Sequence, residues 1–247
     1  MIPWLSAGQP FPGVNTALRA PNGLLAASSE LGVEQLIAAY RQGIFPWYAE
    51  GEPVLWWSPD PRMVLHCDEF RVSRSLGKSL CRAATAAAME VTIDRDFEGV
   101  MQACAEPRSA EVGTWITQQV RDTYGALHLR GLAHSVETWV DGRLVGGLYG
   151  VSIGRMFFGE SMFTRATDAS KIALATLVRI LQAEGVPVID CQQNTRHLAS
   201  LGGREIARDT FCAHVASAVT LAPIAWAKYR HARLNALLAP PSPSAVS

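Results

Sequence analysis

Glu160, Asp190 and Gln192 are the side chains of this 247-residue sequence whose types and spacing best suit chemistry. They stand in two short, mostly apolar stretches, Arg155-Met156-Phe157-Phe158-Gly159-Glu160-Ser161-Met162-Phe163 and Ile189-Asp190-Cys191-Gln192-Gln193. A plain core strand would fill such places with Val, Ile or Leu. On a strand, Asp190 and Gln192 share a face and Cys191 points to the other; Glu160 pairs with Phe158 in the same way, as Met162 does with Met156. A carboxylate and an amide on one face can orient each other and present themselves to a substrate. The same groups also fit a buried hydrogen-bonded network with no chemistry. We expect the two segments to lie side by side in one sheet.

Other site types find less support. No Gly-x-x-x-x-Gly-Lys-Ser/Thr loop and no Gly-x-Gly-x-x-Gly occurs, which argues against nucleoside triphosphates and dinucleotides. The six histidines lack a paired metal spacing, so neither a metal nor another cofactor is expected. Cys191 beside His134 fits a nucleophile and its base, but a cysteine on a buried strand is more often an inert apolar residue.

The elements that must position these groups follow from periodicity and punctuation. Val33, Leu36, Ile37 and Tyr40 fall at helical spacing, with Gly43 placed to end the helix. Three of the seven tryptophans and four prolines then fall within residues 45–62, and proline confines Trp47, Trp56 and Trp57 to stiff loops or short edge strands. Trp56 and Trp57 fit a proline-aromatic core or a ligand surface. Trp47, between Pro46 and Tyr48, is the better stacking candidate. A domain boundary is placed near residue 62.

Beyond it, residues 71–82 carry Arg71, Arg74, Lys78 and Arg82, with Val72, Leu76 and Leu80 on another side, which fits a solvated helix face or an RNA contact. Met89 to Ile93 alternates as a strand, and Asp96 is placed to cap a helix running to Cys104. Trp115 precedes another helix, a position suited to a ligand contact or to packing under the helix end. From His134 the pattern is an antiparallel meander, with Asp141-Gly142 as a hairpin turn and a third strand over residues 156–163. Gly146, Gly147 and Gly150 in one strand point to a bulge or to close approach of a ligand. A long helix ending at Gly185, the strand 188–192, a short helix over 194–200, a strand at 205–207 and a last helix from about Thr210 complete an α+β pattern. The Pro- and Ser-rich end is expected to be disordered.

Bulk properties set outer limits. The chain is 49% hydrophobic, enough for a well-buried core, and its formal net charge is zero, so any RNA contact must rest on a local patch. Five widely spaced cysteines without a Cys-x-x-Cys pair fit a reducing compartment. No apolar run reaches the roughly 20 residues of a membrane span, and no leader pattern is present, so a cytoplasmic protein is expected.

Several strings together carry a family resemblance: Pro21-Asn22-Gly23-Leu24-Leu25, Gly43-Ile44-Phe45-Pro46-Trp47, Leu55-Trp56-Trp57-Ser58-Pro59-Asp60-Pro61-Arg62, Gly113-Thr114-Trp115-Ile116, His134-Ser135-Val136-Glu137, Gly159-Glu160-Ser161-Met162-Phe163 and Ile189-Asp190-Cys191-Gln192. In this order they resemble the bacterial leucyl/phenylalanyl-tRNA–protein transferases over about residues 20 to 215. The resemblance implies an enzyme that moves Leu or Phe, less readily Met, from aminoacyl-tRNA onto the N-terminal Arg or Lys of a protein and so marks it for the N-degron route; a monomer is expected. It implies an acetyltransferase-like (GNAT-like) fold for the larger domain, a mostly antiparallel sheet flanked by helices, which the pattern places at 63–235 after a small N-terminal α/β lobe (1–62) and before a disordered tail (236–247). By motif, Asp190 and Gln192 become the catalytic pair, and Trp47 and Trp115 stack on the terminal adenosine. Leu148, Phe157 and Met162 are expected to line the amino-acid pocket, Glu160 to meet the acceptor's cation, and Arg71, Arg74, Lys78 and Arg82 to touch the tRNA backbone. The last group is sparser than the family leads one to expect.

Such a reaction asks little of a base, because an α-amine has a pKa of about 7.7–8.0 and attacks an already activated ester. Positioning is the larger contribution. Gln192, too weakly basic to remove a proton outright, is expected to accept a hydrogen bond from the amine while Asp190 orients it. Two other readings remain compatible with the residues: an acyl-CoA-dependent N-acetyltransferase, for which no Arg/Gln-x-x-Gly-x-Gly/Ala loop is found, and a non-catalytic RNA-end or peptide-binding protein built on the Trp cluster.

Overall fold

The structure, a computed structural model, describes residues 2–106, 115–230 and 234–239. Its N-terminal part contains β1 (Trp4–Leu5), β2 (Leu24–Ser28), α1 (Val33–Tyr40), β3 (Phe45–Pro46) and β4 (Val54–Trp57), and the strands form a small sheet in the order β1-β2-β4-β3. There follow β5 (Arg62–His66), α2 (Arg74–Thr85), β6 (Met89–Ile93), α3 (Phe97–Ala105), α4 (Gln118–Leu129), β7 (Ala133–Val140), β8 (Arg143–Ile153), β9 (Met156–Thr164), α5 (Ala169–Ala183), β10 (Val188–Asp190), α6 (Arg196–Ser200), β11 (Arg204–Ile206) and α7 (Arg208–Ala218). Their strands make a seven-stranded sheet, β11-β5-β10-β9-β8-β7-β6, antiparallel except for the β9–β10 pair. The class is α+β, as the alternation of patterns indicates.

Local signals account for much of this. Asp141 and Gly142, with φ of 49° and 72°, turn β7 into β8 as a two-residue hairpin requires. The side chains of Asp96 and Thr117 accept from the amides of Gly99 and Val120 and so start α3 and α4. Ser73 does the same for α2 through Leu76, so the helix begins at Arg74 and leaves Arg71 and Val72 outside it. Val72, expected on the apolar side, is exposed.

The large sheet separates two cores. Tyr149, Val151, Met156 and Phe158 face α3, α4, α1 and the small sheet, forming one hydrophobic cluster that runs through both parts of the chain. Leu148 and Phe157, one residue out of phase, face α5 and α2. The chain end closes the second core: Leu234 and Leu238 are buried, and the Asn235 side chain hydrogen-bonds Ala83, Met89 and Val91. Leu238, within the stretch 236–247 expected to be a disordered tail, is thus packed in this core. Residues 240–247 lie outside the described residues.

One irregularity in the sheet governs the site. On β8, Tyr149 and Gly150 pair with Ser161 and Gly159, so Glu160 is an extra residue that bulges out of β9. The bulge reverses the alternation. Phe157 and Met162 share the α5 side, while Met156, Phe158 and Phe163 belong to the other, and the expected pairing of Met156 with Met162 does not hold. The glycines of β8 serve the chain's own packing and not the close approach of a ligand. A Cβ on Gly146 would lie 2.5 Å from that of Ala169, and one on Gly150 would lie 2.3 Å from the Phe158 carbonyl oxygen. Because that oxygen belongs to the neighbouring strand, Gly150→Ala is expected to lower unfolding stability by about 1–3 kcal/mol, read from the urea midpoint.

Candidate active site

Arg62, the first residue of β5, is wholly buried, and so is Asp190, the last of β10. The guanidinium donates Nε to Oδ1 of Asp190 at 2.8 Å and NH2 to Oδ2 at 2.7 Å, a two-pronged pair. It also donates to the Gly43 carbonyl at 3.1 Å, between the rings of Phe45 and Phe211, whose centroids lie 4.7 and 4.5 Å from it. A buried charge needs such partners, because the desolvation cost is several kcal/mol per ion.

Asp190 passes this order on to Gln192. Its Oδ1 accepts from the Gln192 amide at 3.0 Å, and Gln192 takes φ of 55°, a left-handed conformation outside β10. The expectation that Asp190 and Gln192 share a strand face is thus replaced by a turn closed on a carboxylate, since β10 ends at Asp190. The Gln192 side chain then donates to the Gly159 carbonyl at 2.6 Å and to Glu160 Oε1 at 3.1 Å. With both amide hydrogens used, the oxygen remains as an acceptor.

Glu160 is held from the other side by two tyrosines. Tyr40 meets Oε1 at 2.7 Å, Tyr124 meets Oε2 at 3.0 Å, and their hydroxyls meet each other at 2.5 Å. These three oxygen–oxygen contacts need three protons. The two phenols supply two, so the ring is complete when Glu160 carries the third. Burial agrees in sign: it pushes the Glu160 pKa up to about 8, against the lowering effect of the tyrosine hydrogen bonds. Both phenols are held well above their usual range, first by burial and then by Glu160.

Of these groups, Glu160, Asp190 and Gln192 line a cavity of about 980 Å³. It exists because β10 stays with β9 only at Phe157 and Phe158 and then ends, while β9 runs on to Thr164. The gap admits side chains from both faces of the sheet. Leu148, Phe157 and Met162 line it with Leu174, Leu177 and Ile189, forming an apolar wall. Trp47, half exposed, and Trp115, partly buried, line it from the other side, whereas Trp56 and Trp57 are buried and hydrogen-bonded to Ser28 and the Trp47 carbonyl. Gly113 and Thr114, which precede Trp115, lie outside the described residues.

The remaining candidates lie elsewhere. Arg71, Arg74, Lys78 and Arg82 are exposed and do not line the cavity; α2 is tied to the start of α5 by a Ser79–Asp168 hydrogen bond of 2.8 Å. Cys191 and His134 are not brought together. Burial pushes the Cys191 thiol far up, and His134 is engaged by Asp94 at 2.8 Å and stacked on Trp226. Among the described residues, His66, Asp68 and Glu69 hold ligand atoms within 4.8 Å of one another, but Glu69 is already gripped by Arg204 and none of the three lines the cavity.

Arg62, Tyr40 and Tyr124 were missed as site residues. A faint signal existed: Arg62 heads the apolar run Met63-Val64-Leu65, and a tyrosine on the inward face of a helix must find a partner for its hydroxyl.

Residues 64–216 match the family model for leucyl/phenylalanyl-tRNA protein transferase, and residues 29–60 match that for the N-terminal domain of the same enzymes. A leucyl/phenylalanyl-tRNA–protein transferase of Burkholderia ambifaria is 58% identical over 100% of this chain and 98% of its own length. One from Burkholderia vietnamiensis is 61% identical over 92% of this chain and 91% of its own. The chain belongs to the leucyl/phenylalanyl-tRNA protein transferase family.

It is accordingly an aminoacyltransferase, with aminoacyl-tRNA and protein as its substrates. A solved GCN5-related N-acetyltransferase-like protein of Streptococcus suis is a distant structural neighbour, at 13% identity and a TM-score of 0.31 over 73% of this chain and 67% of that one. Among the described residues of this transferase, no helix is long and apolar enough to cross a membrane.

The Arg62–Asp190 pair gives a direct stability test. Arg62→Met keeps much of the volume but leaves a buried carboxylate unpaired, and is expected to cost about 3–5 kcal/mol in chemical denaturation.

Proposed function

We propose that this enzyme moves Leu or Phe, and less readily Met, from aminoacyl-tRNA to the N-terminal Arg or Lys of proteins. The products enter N-degron-dependent degradation, and the enzyme works as a cytoplasmic monomer. The observation that carries the site assignment is the locked amide of Gln192, whose oxygen is left as an acceptor beside an apolar wall.

The aminoacyl side chain occupies the wall of Leu148, Phe157 and Met162, and the ester carbonyl lies near Gln192. Trp47 and Trp115 stack on the terminal adenosine, each stacked base contributing about 1–3 kcal/mol. Arg71, Arg74, Lys78 and Arg82 meet phosphates nearby, through local charge because the chain's formal net charge is zero. An apolar wall distinguishes side chains by small increments, about 1–3 kcal/mol per methylene, so β-branched residues are rejected by shape near Cβ.

In the reaction the amine nitrogen attacks the ester carbonyl while Gln192 accepts one of its hydrogens. The amide bond forms, the ester C–O bond breaks, and the proton lost by the amine ends on the ribose oxygen. We assign Glu160 to this proton transfer in place of the expected contact with the acceptor's cationic side chain. A carboxyl of pKa about 8 matches an amine of about 7.7–8.0, and hydrogen bonds with Tyr40, Tyr124 and Gln192 already hold it in place.

Incubation with Phe-tRNA and an Arg-initiated peptide tests the assignment. Wild type is expected to give the extended peptide, and Gln192→Ala to lose it while still binding tRNA; no product from wild type overturns the reading. The pH dependence has a definite sign, because both Glu160 and the amine become competent on losing a proton. The acceptor kcat/KM is expected to rise with pH and level off above about 8. Glu160→Gln is expected to lower it about 100-fold, leaving only the titration of the amine in the pH profile.

A further inference from the structure

Tyr149 presents a feature that the transfer chemistry leaves unused. The residue is fully buried, it lines the cavity, and its hydroxyl has no hydrogen-bond partner among the described residues. Its ring packs edge-on against Tyr124 and Phe97, which fixes where the hydroxyl stands. Burial first, then the nearby Glu160 and Cys104, hold the phenol well above its usual pKa, so it remains a hydroxyl. A buried polar group without a partner is uncommon in a native fold.

The same side of the cavity already holds a cation. Arg165 pairs with Glu106, just past the end of α3, and its guanidinium lies 5.2 Å from the centroid of Phe163; all three residues line the cavity. Phe163 and Tyr149 lie on the same side of the sheet, away from the apolar wall of Leu148 and Met162. Both members of the ion pair are exposed, and such pairs contribute little and exchange easily. An anion together with an aromatic face is what a foreign guanidinium or ammonium would also seek.

We infer that the acceptor's basic side chain occupies this second side of the cavity, where Tyr149 accepts a hydrogen bond from the cation, Glu106 supplies the charge, and Arg165 fills the place until the acceptor arrives. The inference rests on the proposed Arg or Lys acceptor. It separates the two specificities by face: the donor's apolar side chain on the α5 side of the sheet, the acceptor's cation on the side of α3 and α4.

Tyr149→Phe is a clean test, because it removes only an unpaired hydroxyl and should leave thermal stability equal or higher. Its KM for Arg- and Lys-initiated peptides is expected to rise about 10-fold, with the KM for Phe-tRNA unchanged. Glu106→Gln should raise the same acceptor KM, and Arg165→Ala should lower it by removing the competitor. The inference fails if wild type prefers Arg and Lys acceptors while Tyr149→Phe and Glu106→Gln keep the wild-type acceptor KM. It also fails if the donor KM rises in their place, or if Arg165→Ala raises the acceptor KM. Wild-type transfer without preference for a basic N-terminus would instead overturn the acceptor reading on which the inference rests.

Discussion

A two-pronged ion pair with no solvent exposure, Arg62 to Asp190, is the constraint on which the site depends. It joins the start of β5 to the end of β10, and the guanidinium also donates through NH1 to the Gly43 carbonyl in the turn that leads from α1 to β3. Phe45 from the small sheet and Phe211 from α7 close over the guanidinium. Four elements thus meet on one charge. Such a pair contributes little net stability compared with apolar residues of equal volume, since desolvation offsets most of the attraction. Its value lies in position: the Asp190 carboxylate sits where it fixes the backbone of Gln192, whose amide in turn fixes Glu160.

The second constraint is the extra residue in β9. Without it, Phe157 and Met162 would fall on opposite faces and no continuous apolar wall would form beside α5. The same insertion pushes Glu160 toward Tyr40 and Tyr124. Because β10 ends while β9 continues, the sheet parts at this level, and residues from both of its faces reach one cavity. Substrate space is therefore made by interrupting strand pairing, and the glycines of β8 let the rest of the sheet stay tightly packed around the interruption.

What the sequence disclosed follows the range of the forces involved. The Asp141-Gly142 hairpin, the Asp96 cap and the meander of β7 to β9 depend on neighbours a few residues apart, and composition reveals them. The polar residues of the site were visible because they interrupt apolar runs. Their geometry was not, because it depends on partners 128 residues apart for Arg62 and Asp190, and 120 for Tyr40 and Glu160. Periodicity assigned Tyr40 to a helix core, which is correct for its ring and silent about its hydroxyl. The bulge escaped as well, since strict alternation assumes an unbroken ladder and no residue in Gly159-Glu160-Ser161 announces the insertion.

The proton shared among Tyr40, Tyr124 and Glu160 has an electrical consequence for an enzyme whose donor is a polyanion. Near pH 7 the two site carboxyls do not make the site negative: Asp190 is cancelled by Arg62, and Glu160 is mostly uncharged with a pKa of about 8. These three groups together therefore present almost no net charge to the acceptor end of a tRNA, and phosphates approach without repulsion from the residues that will act on the ester.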